Sequence, residues 1–153
     1  MRIIIADTSC LILLTRIQRL DLLRALFGEV TVTPVVQAEF RQPLPAWVRV
    51  QAPTDATVAP ELETRRGLDP GEASAIALAL ETPDCELILD DGQGRRVARA
   101  LHLAVVGTVG IGIRAKQAGL LPALRPFTDE LLAAGLRLHP DILADALRQA
   151  EES

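Results

Sequence analysis

The sequence predicts a three-layer α/β/α domain with a mostly parallel central sheet, and three observations predict it. Short β-branched apolar runs recur along the 153 residues, each bounded by a turn-former or an acid. Segments with helical spacing fall between them, and strands alternating with helices make βαβ units whose parallel sheets are covered on both faces. Apolar residues make up 49% of the chain against 24% charged, enough for one sizeable core, so residues 1–153 are read as a single domain.

Taken in order, Ile3 to Ala6 reads as a first buried strand, and Cys10 to Arg16 as a short helical segment behind it. A helix follows over Leu20 to Phe27, with Gly28 placed to end it, then a strand at Val30 to Val32. Thr33-Pro34 sets a capping hydroxyl ahead of a first-turn proline, which opens a helix over Pro34 to Arg41. The stretch Gln42 to Arg66, with Pro43, Pro45, Pro53 and Pro60, is the least regular and is read as a connecting excursion with one short strand around Val48 to Val50. Asp69-Pro70-Gly71-Glu72 has the spacing of a capping box and starts a helix over Pro70 to Leu80. The pattern then gives a strand at Leu87 to Leu89, a helix at Arg95 to Leu101, a strand at Ala104 to Val106 and a helix at Val109 to Ala118. Two helices close the chain, Thr128 to Ala134 and Pro140 to Glu151, packing on the domain or on a partner.

Twenty acidic against sixteen basic residues give a net charge of −4, the wrong sign for holding nucleic acid by phosphate neutralisation alone. Cys10 and Cys85 stand far apart without a CxxC or Cys/His spacing, which excludes a disulfide framework or a zinc site and suits a reducing cytoplasm. Asp7 and Arg16 interrupt the apolar N-terminal run well short of a membrane span, so a soluble cytoplasmic protein without an export signal is expected.

Asp7 directly follows the first strand, and Asp90-Asp91 directly follow the strand at Leu87 to Leu89. Ligands of open parallel sheets bind beyond the carboxyl ends of the strands, where these side chains project, although each aspartate alone suits a helix cap equally well. Glu39 falls four residues after Val35 and three after Val36, on the apolar stripe, where a carboxylate is costly unless paired, metal-bound or able to snorkel to water. Glu72 is divided between the capping box and a ligand role. Four or five carboxylates converging on one pocket cannot all stay ionised without a cation, and hard divalent ions such as Mg²⁺ prefer oxygen ligands. Thr8 and Ser9 either orient Asp7 or cap the next helix, and Arg95 and Arg96 either meet phosphate or form solvated surface. His102 and His139, away from strand ends, are read as surface or packing residues.

In this order the motifs resemble those of the PIN-domain family, including its VapC-type toxins. The resemblance runs from Ile3 to about Leu132 and lies in the succession of motifs more than in any one. Ile5-Ala6-Asp7-Thr8-Ser9 is similar to the first-strand aspartate motif, and Pro34-Val35-Val36-Gln37-Ala38-Glu39 to the second. Leu68-Asp69-Pro70-Gly71-Glu72-Ala73 resembles the third acidic position, Leu89-Asp90-Asp91 the fourth, and Gly107-Thr108 also fits. Glu72 stands where many members carry aspartate, and Asp90-Asp91-Gly92-Gln93-Gly94-Arg95 replaces the commoner run with a threonine, a spaced aspartate and an aromatic. The direct ligand among Asp90 and Asp91 is thereby left open.

The resemblance implies a Mg²⁺- or Mn²⁺-dependent endoribonuclease, the toxin of a toxin–antitoxin pair. It implies a homodimer restrained by a small cognate antitoxin, with RNA as substrate and no membrane association. Its implied catalytic set is Asp7, Glu39, Glu72, Asp90 and Asp91, with Asp7, Glu72, Asp90 and Asp91 on metal and Ser9, Arg95 and Arg96 on substrate. The altered motifs keep a second class open, a catalytically inactive PIN-like module that binds RNA or protein. A phosphatase of the haloacid-dehalogenase type fits poorly, since Ser9 stands where that chemistry wants a second carboxylate and the only lysine, Lys116, comes after Asp90-Asp91. A receiver domain fits less, because its acidic pair belongs at the first strand. Setting aside the five proposed site acids leaves fifteen of the twenty acidic residues against sixteen basic ones. The acid surplus is local.

Overall fold

The computed structural model describes residues 2–152. Among them five strands, β1 (Ile3–Ala6), β2 (Val30–Val32), β3 (Val48–Val50), β4 (Cys85–Ile88) and β5 (Ala104–Val106), form one sheet in the order β3-β2-β1-β4-β5. Every pairing is parallel. The helices are α1 (Thr8–Arg16), α2 (Asp21–Phe27), α3 (Pro34–Phe40), α4 (Val58–Arg66), α5 (Pro70–Leu80), α6 (Gly92–Ala100), α7 (Thr108–Gln117), α8 (Leu124–Ala133) and α9 (Pro140–Gln149).

The alternation of side chains along β1 divides the core into two layers. Ile4 and Ala6, with Val30, Val32 and Ile88, pack under α1, α2, α3, α7, α8 and α9. Ile5, with Leu87 and Leu89, packs under α5 and α6, and α4 lays Ala59 and Leu62 against that layer. The α/β/α prediction is therefore met. Helix α5 is buried from Gly71 through Ala79, and its run of alanines suits a helix covered on all sides.

Several boundaries differ from the sequence expectation, each for a physical reason. The fourth strand begins at Cys85, not Leu87, because the charged Glu86 that hides it is buried and held by Arg114 at 2.7 and 2.6 Å. Helix α6 starts at Gly92 rather than Arg95, since Asp91 caps it through the Gly94 N–H at 2.9 Å. Helix α4 arises inside the stretch read as irregular; Pro60 sits in its first turn, where a proline is tolerated, and the helix buries no residue. Helix α8 starts at Leu124 rather than Thr128, because Glu152 accepts the backbone N–H groups of Leu124 (2.6 Å) and Arg125 (3.1 Å). Lys116 at 2.8 Å completes that clasp. Gly112 lets α7 and α8 approach, since a Cβ there would stand 2.5 Å from the Phe127 ring.

What positions the site is the central pair. The chain lays β2 and β3 on one side of β1, then returns to place β4 and β5 on the other. The β1/β4 boundary is thus the switch point of the sheet, where open α/β folds bind their ligands. Ala6 is in register with Ile88, and the Asp7 N–H donates to the Ile88 carbonyl at 3.1 Å. Asp7 and Asp90 leave the sheet on neighbouring strands as a result.

Candidate active site

Asp7 stands at the N-cap position of α1 with extended backbone, yet its side chain caps nothing. It is buried, and its Oδ1 has no hydrogen-bond partner. Burial pushes its pKa up to about 7, and the charges of Asp69, Glu39 and Asp90 add to the rise. A carboxylate in this state is a poor resident without a cation.

Glu39 is exposed on α3, so of the alternatives left open for it the carboxylate reaches water from the edge of the apolar stripe, while Val36 and Phe40 take the buried positions. Its place is set by Thr8, whose hydroxyl donates to Glu39 Oε1 at 2.7 Å. Gly71 permits this, since a Cβ there would collide with Glu39 Oε1 and lie 3.1 Å from the Thr8 hydroxyl.

Glu72 serves the cap and leaves an oxygen over. Asp69 Oδ1 accepts the Glu72 N–H at 2.8 Å and Glu72 Oε1 accepts the Asp69 N–H at 3.3 Å, a complete capping box. The other oxygen, Oε2, is buried without a partner. Burial first, then Asp69 and Asp91, raises the Glu72 pKa well above the carboxylate range. Gly94 lets α6 close over this oxygen, since a Cβ there would lie 2.5 Å from it.

The two acids after β4 part company. Asp90 accepts both the backbone N–H of Thr108 (2.7 Å) and its hydroxyl (2.6 Å), tying the β4 end to the start of α7. Asp91 is exposed and caps α6. Asp90 is felt by Asp7 and Asp91 by Glu72, while Asp69 is felt by both. Sequence reasoning misses Asp69 as a site residue because its capping role accounts for it. Its adjacency to Glu72 is the available signal.

A family model described as a PIN domain matches residues 3–152. The chain belongs to the PIN-domain family. PIN domains are generally nucleases that use divalent metals. No curated protein matches the chain significantly.

The residues of this PIN domain fit a hard divalent ion in donor chemistry: carboxylate oxygens throughout, two of them buried and orphaned. Among the described residues no three His, Cys, Asp or Glu side chains are already drawn into one cation-holding group. Asp90 and Asp91 turn oxygens to Thr108 and Gly94 instead.

On the other side of Asp90 the PIN domain is basic. A cleft of about 660 Å³ runs from Asp90 between α6 and α9, with Arg95, Arg96, Arg99 and Arg137 in its walls. A second, of about 430 Å³, holds Ser9, Arg16, Asp90, Asp91 and Arg137. Arg95 is half-buried, its Nη1 at 3.5 Å from the Leu89 carbonyl, and burial, with the charge of Arg99 adding, lowers its pKa. Arg96 is exposed and donates to Gln93 at 2.8 Å, and Ser9 is exposed on the first turn of α1. His139 caps α9 by accepting the Asp141 N–H, and no described helix is long and apolar enough to cross a membrane.

Proposed function

We propose that this PIN domain is an endoribonuclease dependent on Mg²⁺ or Mn²⁺, the toxin of a toxin–antitoxin pair. The observation that carries the reading is Asp7, a buried carboxylate at the switch point with one orphaned oxygen and three acids raising its pKa. Asp7 and Glu72 would hold the ion through their partnerless oxygens, with Asp90 and Asp91 at its border. When bound, a divalent cation supplies neutralisation of the cluster and Lewis-acid assistance to attack by water on a phosphodiester.

The remaining work belongs to the chain. Thr8 keeps the Glu39 carboxylate turned toward α5, and Thr108 fixes Asp90. Ser9, Arg95 and Arg96 meet the phosphate that is cut; an arginine fork suits phosphate oxygens. RNA as the substrate, a small antitoxin as the partner, a homodimer and the cytoplasm as the site of action all rest on the family resemblance.

The test is cleavage of single-stranded RNA with Mn²⁺ and with EDTA, for the wild type and for Asp7→Asn shown by circular dichroism to be folded. Metal-dependent cleavage lost in the variant is the expected result. Folded wild type that binds RNA and leaves it intact in Mn²⁺ would overturn the reading in favour of a non-cleaving module.

A further inference from the structure

We propose that the cleft between α6 and α9 is a track for the sugar–phosphate backbone of single-stranded RNA, reaching beyond the cut site to Arg99 and Arg137. This rests on the ribonuclease reading for the identity of the strand, and on the cleft's own charge and shape for its place. Arg95, Arg96, Arg99 and Arg137 all line it. Among the described residues none of these four has an acid within ion-pair distance, whereas Asp145, on the facing wall, is engaged by Arg148 at 3.1 Å. In a chain of net charge −4, four guanidinium groups against the two carboxylates of Asp90 and Asp145 leave this one cleft positive, and that calls for anions.

Arg95 and Arg99 stand one helical turn apart on α6, a spacing that puts both on one face. Burial and then the charge of Arg99 weigh on Arg95, against the opposite pull of Asp90, so an anion laid between the two arginines relieves a repulsion already present. The cleft begins at Asp90, so the track is continuous with the acidic site. Its volume of about 660 Å³ falls among pockets for small ligands, room for a few nucleotides of one strand and too little for a duplex. The aromatic side chains Phe27, Phe40, Trp47 and Phe127 pack in or against the core on the α1–α3 and α7–α9 side. No phenylalanine or tryptophan lines the cleft, which has only the His139 imidazole as an aromatic ring in its wall, so recognition is chiefly by phosphate charge and guanidinium contact, tolerant of sequence.

The experiment is fluorescence anisotropy of a labelled twelve-nucleotide oligouridylate with the full chain in EDTA, where nothing is cut, over a series of salt concentrations. Arg99→Ala with Arg137→Ala is compared with Arg24→Ala with Arg49→Ala, which removes the same charge from α2 and from β3 at the far edge of the sheet. Each phosphate contact to a single strand contributes about 0.7 to the salt slope, so the cleft variant should lose about 1.4 in slope and roughly tenfold or more in affinity. The control should bind as wild type does. Cleft and control variants that weaken equally, or a cleft variant that binds like wild type, overturn the track. A polyglutamate peptide that binds the cleft while the oligonucleotide does not overturns it also, and marks a protein-docking site. Binding through the cleft without cleavage in Mn²⁺ would sink the nuclease reading alone, and cleavage with an unchanged salt slope would sink the track alone.

Discussion

Thr108 holds both carboxylate oxygens of Asp90, one through its backbone N–H at 2.7 Å and the other through its hydroxyl at 2.6 Å. The threonine is fully buried, so β4 and α7 are joined at the site by a single residue's two donors.

Thr108→Val keeps the shape and the backbone donor but leaves Asp90 Oδ2 without its partner. Hydrogen bonds to charged groups are worth ~1.5–3 kcal/mol, and a loss of about that size is expected in urea denaturation. Mn²⁺ affinity, read by calorimetry, should fall with it, while Thr108→Ser should recover most of both.

Asp7 titrates near neutrality, with a pKa raised from 3.8 to about 7. The folded protein keeps this proton to higher pH than the unfolded chain does, so Asp7 lowers stability progressively as pH climbs from about 4 to about 7. Asp7→Asn should therefore stabilise the metal-free protein at pH 8, by up to a few kcal/mol, since each tenfold difference in proton affinity between the folded and unfolded chain is worth ~1.4 kcal/mol. At pH 4 the gain should be absent. Mn²⁺ binding to wild type should strengthen over the same rise in pH, because ion and proton compete for one carboxylate.

Glu152 has the opposite sign. Lys116 and the two backbone N–H groups at the start of α8 pull its pKa from 4.5 down to about 2. That contribution to stability is complete above about 4.5 and is lost as pH falls through about 2. Glu152→Gln should melt at a lower temperature than wild type at pH 7, with the difference closing toward pH 2.

Gly112→Ala places a methyl group 2.5 Å from the Phe127 ring and 2.9 Å from Leu124. Overpacking of this kind costs ~1–3 kcal/mol, offset by up to ~1 kcal/mol of helix propensity. A net loss of roughly 1–2 kcal/mol in chemical denaturation is expected, with RNA binding by the folded fraction unchanged.

The legible parts of this fold are those written locally. Thr33-Pro34 and Asp69-Pro70-Gly71-Glu72 read as helix starts, and both cap as written. Parallel strands and strand-end acids follow from runs a few residues long. What escapes depends on distant residues: the start of α8 is fixed by Glu152, and the first half of β4 is masked by a charge that Arg114 neutralises from another element. Helix α4 escapes because it buries no residue and so carries no apolar stripe. Within the site, the succession of acids is readable, and Thr8 and Thr108 fall in the motifs, but nothing local assigns Asp69 there, nor says that Thr8 holds Glu39 and Thr108 holds Asp90. Their roles exist only once β1, β4, α5 and α7 have met.

The pairing of β1 with β4 also sets a schedule. Asp7 is made among the first residues, whereas Asp90 and the Thr108 that secures it come from the other side of a connection that builds β2, β3 and the helices between them. A ribosome must deliver both halves before the acids can face one another. A chain released early carries Asp7 without Asp90 or the Thr108 that holds it, so the acid cluster cannot assemble from an N-terminal fragment.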